Sequence, residues 1–287
     1  MSNRAGVAEA QPFAEWIGRT ETVEDFIAAA PAQAAAAMLD DAESRFAEGS
    51  ALPPLWHWFY FLPKAPASRI GPDGHPRRGG FLPPIPLPRR MFAGARLSFM
   101  EPLVIGRPAR RDGVIRAVSQ KTGRSGTLAF VTVGYTIRQD GRVCVEEEQD
   151  LVYREPGAPV PDPQPAPLPP APEGAVSRVI EPDPVLLFRF SALTFNAHRI
   201  HYDRPYATGV EGYPGLVVHG PLTAVLLMEL VRRNIGRAVK AFSFRGQAPL
   251  FDLAPFRVMA LPGADVVRLE AHGPDASLAM GATAELR

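Results

Sequence analysis

The pattern of apolar and polar residues predicts that the first half of the chain is helical at its start and an antiparallel sheet at its end. Thr22 to Asp25 is typical of a helix start, and residues 31–41 place a proline ahead of strong helix formers. Later segments are rich in β-branched and aromatic residues, and the Asp140-Gly141 dipeptide is a strong hairpin signal. The predicted strands are residues 96–100, 114–118, 127–137 and 143–153.

The second half repeats this order of elements. The apolar run at residues 185–193 predicts a strand, and residues 221–234 predict a helix that is apolar nearly all round and therefore buried. A sheet wrapped around one apolar helix covers the apolar face of both elements, so we expect an α+β protein of two similar halves. The further strands predicted after this helix are residues 241–244, 256–260, 266–271 and 278–286.

A proline-rich stretch separates the two halves. Residues 156–172 read PGAPVPDPQPAPLPPAP, a composition that excludes a helix or a central strand and favours an extended, semi-rigid linker. We therefore predict an N-terminal domain over residues 1–155, a linker over residues 156–175 and a C-terminal domain over residues 176–287.

Composition and charge exclude several classes of function. The 287 residues are 46% apolar and 21% charged, with a net charge of +1, so neither nucleic acid nor an anionic membrane surface is an expected partner. No run approaches the ~20 apolar residues of a membrane span, and the N-terminus has no signal-peptide pattern. Cys144, the single cysteine, is expected to be a buried strand residue. A soluble, cytoplasmic protein is expected.

The candidate chemistry is concentrated in the polar segment that follows residues 185–193. Asn196, His198 and His201 are close enough along the chain for one short turn to aim them into a single cleft. Residues 215–222 look like a strand end running into a helix start, where unpaired N–H groups can hold an oxyanion. Side chains that transfer protons, beside such donors, predict acyl or thioester chemistry.

The segment FNAHRIHYD resembles the motif of MaoC-like hotdog-fold enoyl-thioester hydratases. That motif reads Gly-Asp-x-Asn-Pro-Ile/Leu-His, often with Asp two residues later. Aligning the motif histidine with His201 places Asp203 on the last acid. Asn196 then stands where the motif has aspartate, His198 where it has asparagine and Arg199 where it has proline.

The resemblance becomes specific to mesaconyl-C4-CoA and itaconyl-CoA hydratases and the mitochondrial type 2 hydroxyacyl-thioester dehydratases, in which these substitutions are usual. It implies a double hotdog fold, with two antiparallel sheets that each wrap around a long central helix, and hydro-lyase activity. The segments that carry it lie in both halves: WIGRT (16–20), PLWHWF (54–59), PDGHPRRGGFLP (72–83), PRRM (88–91), KTGRSG (121–126) and FSALTFNAHRIHYDRPYA (190–207).

The resemblance also implies roles for individual residues. His201 is the predicted acid/base group, because imidazole titrates near neutral pH. Asn196 would position the water, and His198 or Asp203 would orient His201, which acts alone because an amide is no base. The remaining predictions are Gly220 and, more weakly, Gly215 as oxyanion donors, and Arg89, Arg90, Arg199 and His219 as substrate-binding residues.

The expected reaction is reversible hydration of an unsaturated short-chain acyl-CoA, most specifically mesaconyl-C4-CoA or itaconyl-CoA giving citramalyl-CoA. One site per chain is expected, built from the second half and roofed by the first, in a possible homodimer. No metal is expected, because the spacing of these histidines matches no familiar zinc pattern, and no cofactor beyond the coenzyme A of the substrate. The alternatives are a 3-hydroxyacyl-thioester dehydratase of fatty acid synthesis, a thioesterase and a non-catalytic acyl-thioester binding protein.

Overall fold

The computed structural model describes residues 12–123, 126–164, 166 and 170–287. In this part of the chain, ten strands form one antiparallel sheet in the order β1-β3-β4-β5-β2-β7-β10-β9-β8-β6. The strands are β1 (Thr20–Phe26), β2 (Arg89–Phe99), β3 (Pro108–Gly123), β4 (Gly126–Gln139), β5 (Arg142–Arg154), β6 (Val176–Ile180), β7 (Val239–Gly246), β8 (Phe256–Pro262), β9 (Val266–His272) and β10 (Leu278–Leu286). The helices are α1 (Ala29–Met38), α2 (Pro184–Thr194), α3 (Arg204–Gly209) and α4 (Gly220–Asn234).

The strand order confirms that the two halves repeat one architecture. The first half pairs as β1-β3-β4-β5-β2, and the second pairs in the equivalent order β6-β8-β9-β10-β7. The two predicted sheets are joined into one, because β2 pairs with β7 from Gly94 opposite Arg245 to Ser98 opposite Ala241. The apolar core is likewise continuous, with the rings of Phe59 and Phe190 6.0 Å apart.

The prediction of a buried helix over residues 221–234 is confirmed by α4. Every residue from Leu222 to Val231 is buried, and the helix packs on strands of both halves. The helix predicted over residues 31–41 is confirmed as α1, which is shorter than α4, with ten residues, and packs chiefly against α2 and the 3-10 helix Trp56–Phe59. The rings of Trp56 and Phe59 in that 3-10 helix are buried and belong to the apolar core.

Two local predictions are wrong. Residues 185–193 form helix α2, because Asp183 caps it by accepting a hydrogen bond from Leu186 N and Pro184 occupies its first turn. An apolar run of that length does not by itself distinguish a strand from a helix. Residues 22–25 lie in strand β1, where the exposed and half-buried positions alternate as in an edge strand.

The remaining predictions concern Cys144, membrane-spanning helices and the domain boundaries. Cys144 is a buried residue of β5, as predicted. Among the described residues, no helix is both long enough and apolar enough to cross a bilayer. The division of the chain into residues 1–155, 156–175 and 176–287 stays a prediction.

Candidate active site

The loop between α2 and α3 carries most of the predicted site. Helix α2 ends at Phe195, whose backbone is left-handed, and Asn196 Oδ1 then accepts a hydrogen bond from His198 N over 3.0 Å. The 3-10 helix Arg199–His201 follows, and Asp203 caps α3 by accepting from Tyr206 N. Local turn chemistry therefore aims two imidazoles inward from this loop, and both rings are buried.

His201 is held in one tautomer by the chain itself. Its Nδ1 donates to Val217 O over 2.7 Å, which leaves Nε2 unprotonated. Burial lowers the pKa of His201 to about 4, against the smaller opposing effect of the Val217 carbonyl. A neutral imidazole with a free Nε2 is suited to accept a proton. The predicted orienting groups, His198 and Asp203, are replaced in this role by a backbone carbonyl.

His219 lies directly against His201. The two rings stack with centroids 3.6 Å apart, and His219 Nε2 is 2.9 Å from Ser191 Oγ. Burial holds the pKa of His219 well below its usual range, so the ring is neutral. Its buried Nδ1 has no hydrogen-bond partner in the described part of the chain. His219, which is predicted to bind the substrate, therefore stacks on the ring of His201, the acid/base candidate.

The first half contributes a fourth imidazole that the sequence did not assign. The ring of His75 lies 4.0 Å from that of His198, which lies 5.3 Å from that of His201. His75 Nδ1 is 3.0 Å from Asp73 Oδ2. We call His75, His198, His201 and His219 the histidine row.

A close backbone approach holds the two halves together at this point. Gly74 has a φ of 90°, and a Cβ built on it would lie 1.7 Å from Ala197 O. Arg199 N donates to Asp73 O over 2.9 Å across the same contact. Only glycine fits at this position, and the row is therefore built from two interlocked loops.

The environment keeps the row uncharged near neutral pH. Burial lowers the pKa of His75 to about 4, assisted by the positive charge of Arg90 and opposed by Asp73. Burial also lowers the pKa of His198 far below its usual range, again with a contribution from neighbouring imidazoles and Arg90. Since none of the four rings is charged at pH 7, the positive charge of this region comes from Arg90 and, beside His75, from Arg78.

The predicted arginines separate into different roles. Arg89 is buried and pairs with Glu211 over 2.9 Å, so it stabilises the fold instead of meeting a ligand. Arg199 is held by Asp203 and Pro72 O and lies over Tyr206. Neither points into the row, and these two predictions find no support. Arg90 is half-buried, lies within hydrogen-bonding reach of the Tyr153 side chain and near the charge of Asp73, and makes no ion pair with any described residue.

The two predicted oxyanion donors also differ. Gly220 is the first residue of α4 and follows His219 directly, so its N–H is not used by the helix and lies next to the row. Gly215 lies against Asp252 and Leu253, where a Cβ would come within 2.7 Å of Asp252 Oδ1. This close packing requires a small residue at position 215, and its role as an oxyanion donor stays a prediction.

Asp73, His75 and His198 each offer a ligand atom, and these atoms all lie within 4.8 Å of one another. The prediction that no metal binds rests on the spacing of His198, His201 and Asp203, and it does not extend to this set. That the site works without a metal stays a prediction.

Asp73 and His75 were missed because no local spacing connects them with the second half. The one available signal was the segment PDGHPRRGGFLP, which carried the resemblance without a role for any of its residues. In that segment, Arg78 proves structural, because it donates to the carbonyl groups of Ile85, Leu87 and Pro88.

Comparisons with known proteins identify the family of the chain. The profile of the family described as hydroxyacyl-thioester dehydratase type 2 matches residues 55–252. The mesaconyl-C4-CoA hydratase of Chloroflexus aurantiacus is 67% identical over 94% of this chain and 96% of its own length. The mitochondrial hydroxyacyl-thioester dehydratase type 2 of Schizosaccharomyces pombe is 28% identical over 73% of this chain and 77% of its own.

Solved structures support the fold. HtdX of Mycobacterium tuberculosis superposes with a TM-score of 0.68 at 17% identity, covering 94% of this chain and 100% of that one. A second protein of that organism, described as a double hotdog fold, has a TM-score of 0.57 at 14% identity and covers 94% of this chain and 96% of that one. The chain is a double hotdog hydro-lyase and belongs to the hydroxyacyl-thioester dehydratase type 2 family.

Proposed function

We propose that the chain catalyses the reversible hydration of mesaconyl-C4-CoA, or of a closely related C5 dicarboxylic acyl-CoA, to citramalyl-CoA. The observation that carries this proposal is the 67% identity to a mesaconyl-C4-CoA hydratase over nearly the whole of both chains. Coenzyme A enters as part of the substrate, and no separate cofactor is proposed.

The chemistry of this substrate calls for a cation near the base, and Arg90 is the candidate. In mesaconyl-C4-CoA the free carboxylate is bonded to the β-carbon, the atom that receives the water oxygen. A cation that binds this carboxylate must therefore lie within a few ångströms of the base. Arg90 is close enough to His75 and His198 to lower the pKa of both, and it has no ion-pair partner among the described residues. A guanidinium also binds a carboxylate through two parallel hydrogen bonds.

In the proposed reaction, His201 is the acid/base group. Its Nε2 takes a proton from water while the water oxygen bonds to the β-carbon. The π electrons move toward the thioester oxygen, which the N–H of Gly220 stabilises. The imidazolium of His201 then returns the proton to the α-carbon, so that the enzyme ends the cycle unchanged.

Dehydration of 3-hydroxyacyl thioesters is the second candidate, favoured by the description of the matching family. Such substrates have no carboxylate on the β-carbon and give Arg90 no partner. A non-catalytic binding protein would have no use for a buried imidazole held in one tautomer with a free Nε2, and a thioesterase would release free coenzyme A instead of forming citramalyl-CoA.

The test is loss of absorbance at ~260 nm, where the conjugated enoyl thioester absorbs. Purified protein is assayed with mesaconyl-C4-CoA, crotonyl-CoA and a long-chain enoyl-CoA, each with and without EDTA, while formation of citramalyl-CoA from itaconyl-CoA is followed by chromatography. Fast turnover confined to the dicarboxylic substrates and unaffected by EDTA is expected. Turnover of long monocarboxylic chains alone would favour the dehydratase, and binding without turnover a non-catalytic protein.

A homodimer also stays a proposal. Strands β1 and β6 are the two edges of the sheet, and an unpaired edge is a common pairing surface. Sedimentation of the purified protein would measure the oligomeric state.

A further inference from the structure

The second half of the site lacks one hydrogen-bond acceptor. The family motif has an aspartate at the position of Asn196, and a carboxylate there would accept a hydrogen bond from the attacking water. Asn196 is an amide, and its Oδ1 already accepts from His198 N over 3.0 Å. Its Oδ1 keeps one further lone pair and its Nδ2 can only donate, so Asn196 offers the water fewer acceptor sites than an aspartate would and cannot act as a base. A stronger acceptor for the water would have to come from another residue.

The first half brings an acceptor to this point. Asp73 Oδ2 accepts a hydrogen bond from His75 Nδ1 over 3.0 Å, and Asp73 Oδ1 accepts from His75 N over 3.0 Å. The carboxylate therefore fixes both the rotamer and the tautomer of the ring. With Nδ1 protonated, His75 Nε2 carries a lone pair.

The Nε2 atom that carries this lone pair has no hydrogen-bond partner among the described residues. Neither His75 Nε2 nor His201 Nε2 is bonded to a described residue, and neither is among the fully enclosed atoms that lack a partner. The two rings flank His198, one 4.0 Å and the other 5.3 Å from it. A water molecule that donated to both Nε2 atoms would have both hydrogens engaged, which would leave its oxygen lone pairs for the substrate.

We propose that His75 is a catalytic residue that holds the attacking water through Nε2, and that Asp73 is the positioning residue that fixes the tautomer. This inference rests on the proposed hydration, in which His201 takes the proton. His75 accepts a hydrogen bond from the second hydrogen of the water and keeps no proton, so the reaction balances as written above. The first half thereby supplies the acceptor that the change from aspartate to Asn196 removes.

A second histidine–carboxylate pair contains a histidine whose ring nitrogens are both hydrogen-bonded within the fold. His272 and Glu270 have the same sequence spacing and comparable exposure, and His272 Nε2 is 2.9 Å from Glu270 Oε2. Its other ring nitrogen is bonded to Ala276 O over 3.1 Å. Both nitrogens of His272 are occupied, whereas His75 leaves Nε2 free, so His272→Gln is a matched control.

The kinetic arm compares His75→Gln and Asp73→Asn with His272→Gln. We expect kcat to fall about 100-fold for His75→Gln and at least 10-fold for Asp73→Asn, with KM within about 3-fold, because misplacing a reacting group by about 1 Å can cost about 10²-fold in rate. His272→Gln should keep its kcat. Circular dichroism and Tm check that each variant is folded. Wild-type kcat in His75→Gln would overturn the inference.

The spectroscopic arm reads the tautomer directly. Nitrogen-15 spectra of histidine-labelled protein at pH 7 should show His75, assigned by its loss in His75→Gln, with Nδ1 protonated and Nε2 bare. Asp73→Asn should shift this population toward Nε2–H. A wild-type ring with Nε2–H would overturn the inference, even with full hydration activity. Failure of the proposed substrate is seen separately, because wild-type protein would then hydrate none of the dicarboxylic substrates.

Discussion

The imidazole rings of His201 and His219 stack with their planes 18° apart and their centroids 3.6 Å apart. Two cations would repel each other strongly at this separation in a buried site, so the contact requires that at least one ring stays neutral. Burial favours the neutral form of both, and the same holds for the other two rings of the row. The protonation state and the packing of the site are therefore coupled.

The first prediction concerns acid stability. Each ring of the row has a folded-state pKa below its unfolded value of about 6.5, so between pH 6.5 and about 4 the unfolded chain binds more protons. Stability is therefore full above pH 6.5 and falls as the pH decreases, by about 2 kcal/mol per histidine between pH 7 and pH 5. Tm measured in steps of pH from 8 to 4 should drop steeply below pH 6.

The variant His219→Phe tests whether the histidine row causes this sensitivity to acid. Phenylalanine keeps an aromatic ring against His201 and Phe190 but cannot bind a proton. The Tm of this variant should depend less on pH between 7 and 5 than that of the wild type. An unchanged pH slope would assign the acid sensitivity to other groups.

The second prediction concerns the acid/base group. His201→Ala should lower kcat by about 10² to 10⁴, because the ring is the proposed proton acceptor. His272→Gln serves again as the control histidine, since it lies in β9 with both ring nitrogens bonded. Steady-state kinetics with mesaconyl-C4-CoA measure the effect, and substantial activity in His201→Ala would remove this residue from the mechanism.

The third prediction concerns substrate selection. Arg90→Met should lower kcat/KM for the dicarboxylic substrates by about 10- to 100-fold, because a charge-assisted hydrogen bond contributes about 1.5–3 kcal/mol. Crotonyl-CoA, which has no free carboxylate, should lose little. The exposed Arg77→Gln variant controls for a general loss of positive charge. Equal losses for both substrates would contradict carboxylate binding by Arg90.

The fourth prediction separates Asp203 from the chemistry. Its carboxylate caps α3 and pairs with Arg199 over 2.8 Å. Asp203→Ala should therefore lower the free energy of unfolding by about 1 kcal/mol, the usual value of a lost helix cap, and reduce kcat less than 10-fold. Chemical denaturation and kinetics measure the two effects, and a loss of kcat as large as that of His201→Ala would restore a catalytic role.

The fifth prediction concerns the contact between the two loops. Gly74→Ala should destabilise the protein by about 3 kcal/mol or more and abolish activity, since a Cβ at this position meets Ala197 O. Gly141→Ala is the matched control, because Gly141 also has a positive φ of 79° but open space around it. It should cost about 1 kcal/mol of backbone strain and leave kcat unchanged. Similar effects of both substitutions would reduce the role of Gly74 to backbone conformation.

Periodic patterns predicted most of the fold correctly. The alternation and turn signals of the meanders and the apolar helix α4 were visible because each depends on neighbouring residues. Helix α2 was misread because its run is apolar on all sides, and only the cap at Asp183 distinguishes it from a strand. The pairing of β2 with β7 depends on residues far apart in sequence, so no local signal could reveal one continuous sheet.

The candidate site was also predicted only in part. His198 and His201 lie together because a short turn aims them, which the sequence indicated. Asp73 and His75 arrive only through the docking of the halves. The separation of Arg89 from Arg90 follows from the alternation of neighbouring side chains along a strand, which became visible once β2 was known to begin at Arg89.

Because Gly74 approaches Ala197 so closely, the site is complete only when the two halves are docked. Neither half alone contains the complete histidine row, so a chain whose halves have folded without docking has no working centre. Transplanting the segment FNAHRIHYD onto another hotdog scaffold would therefore carry over the proton acceptor without its partner. Activity in this enzyme should appear together with the docked state, and in directed evolution both loops would have to change as one unit.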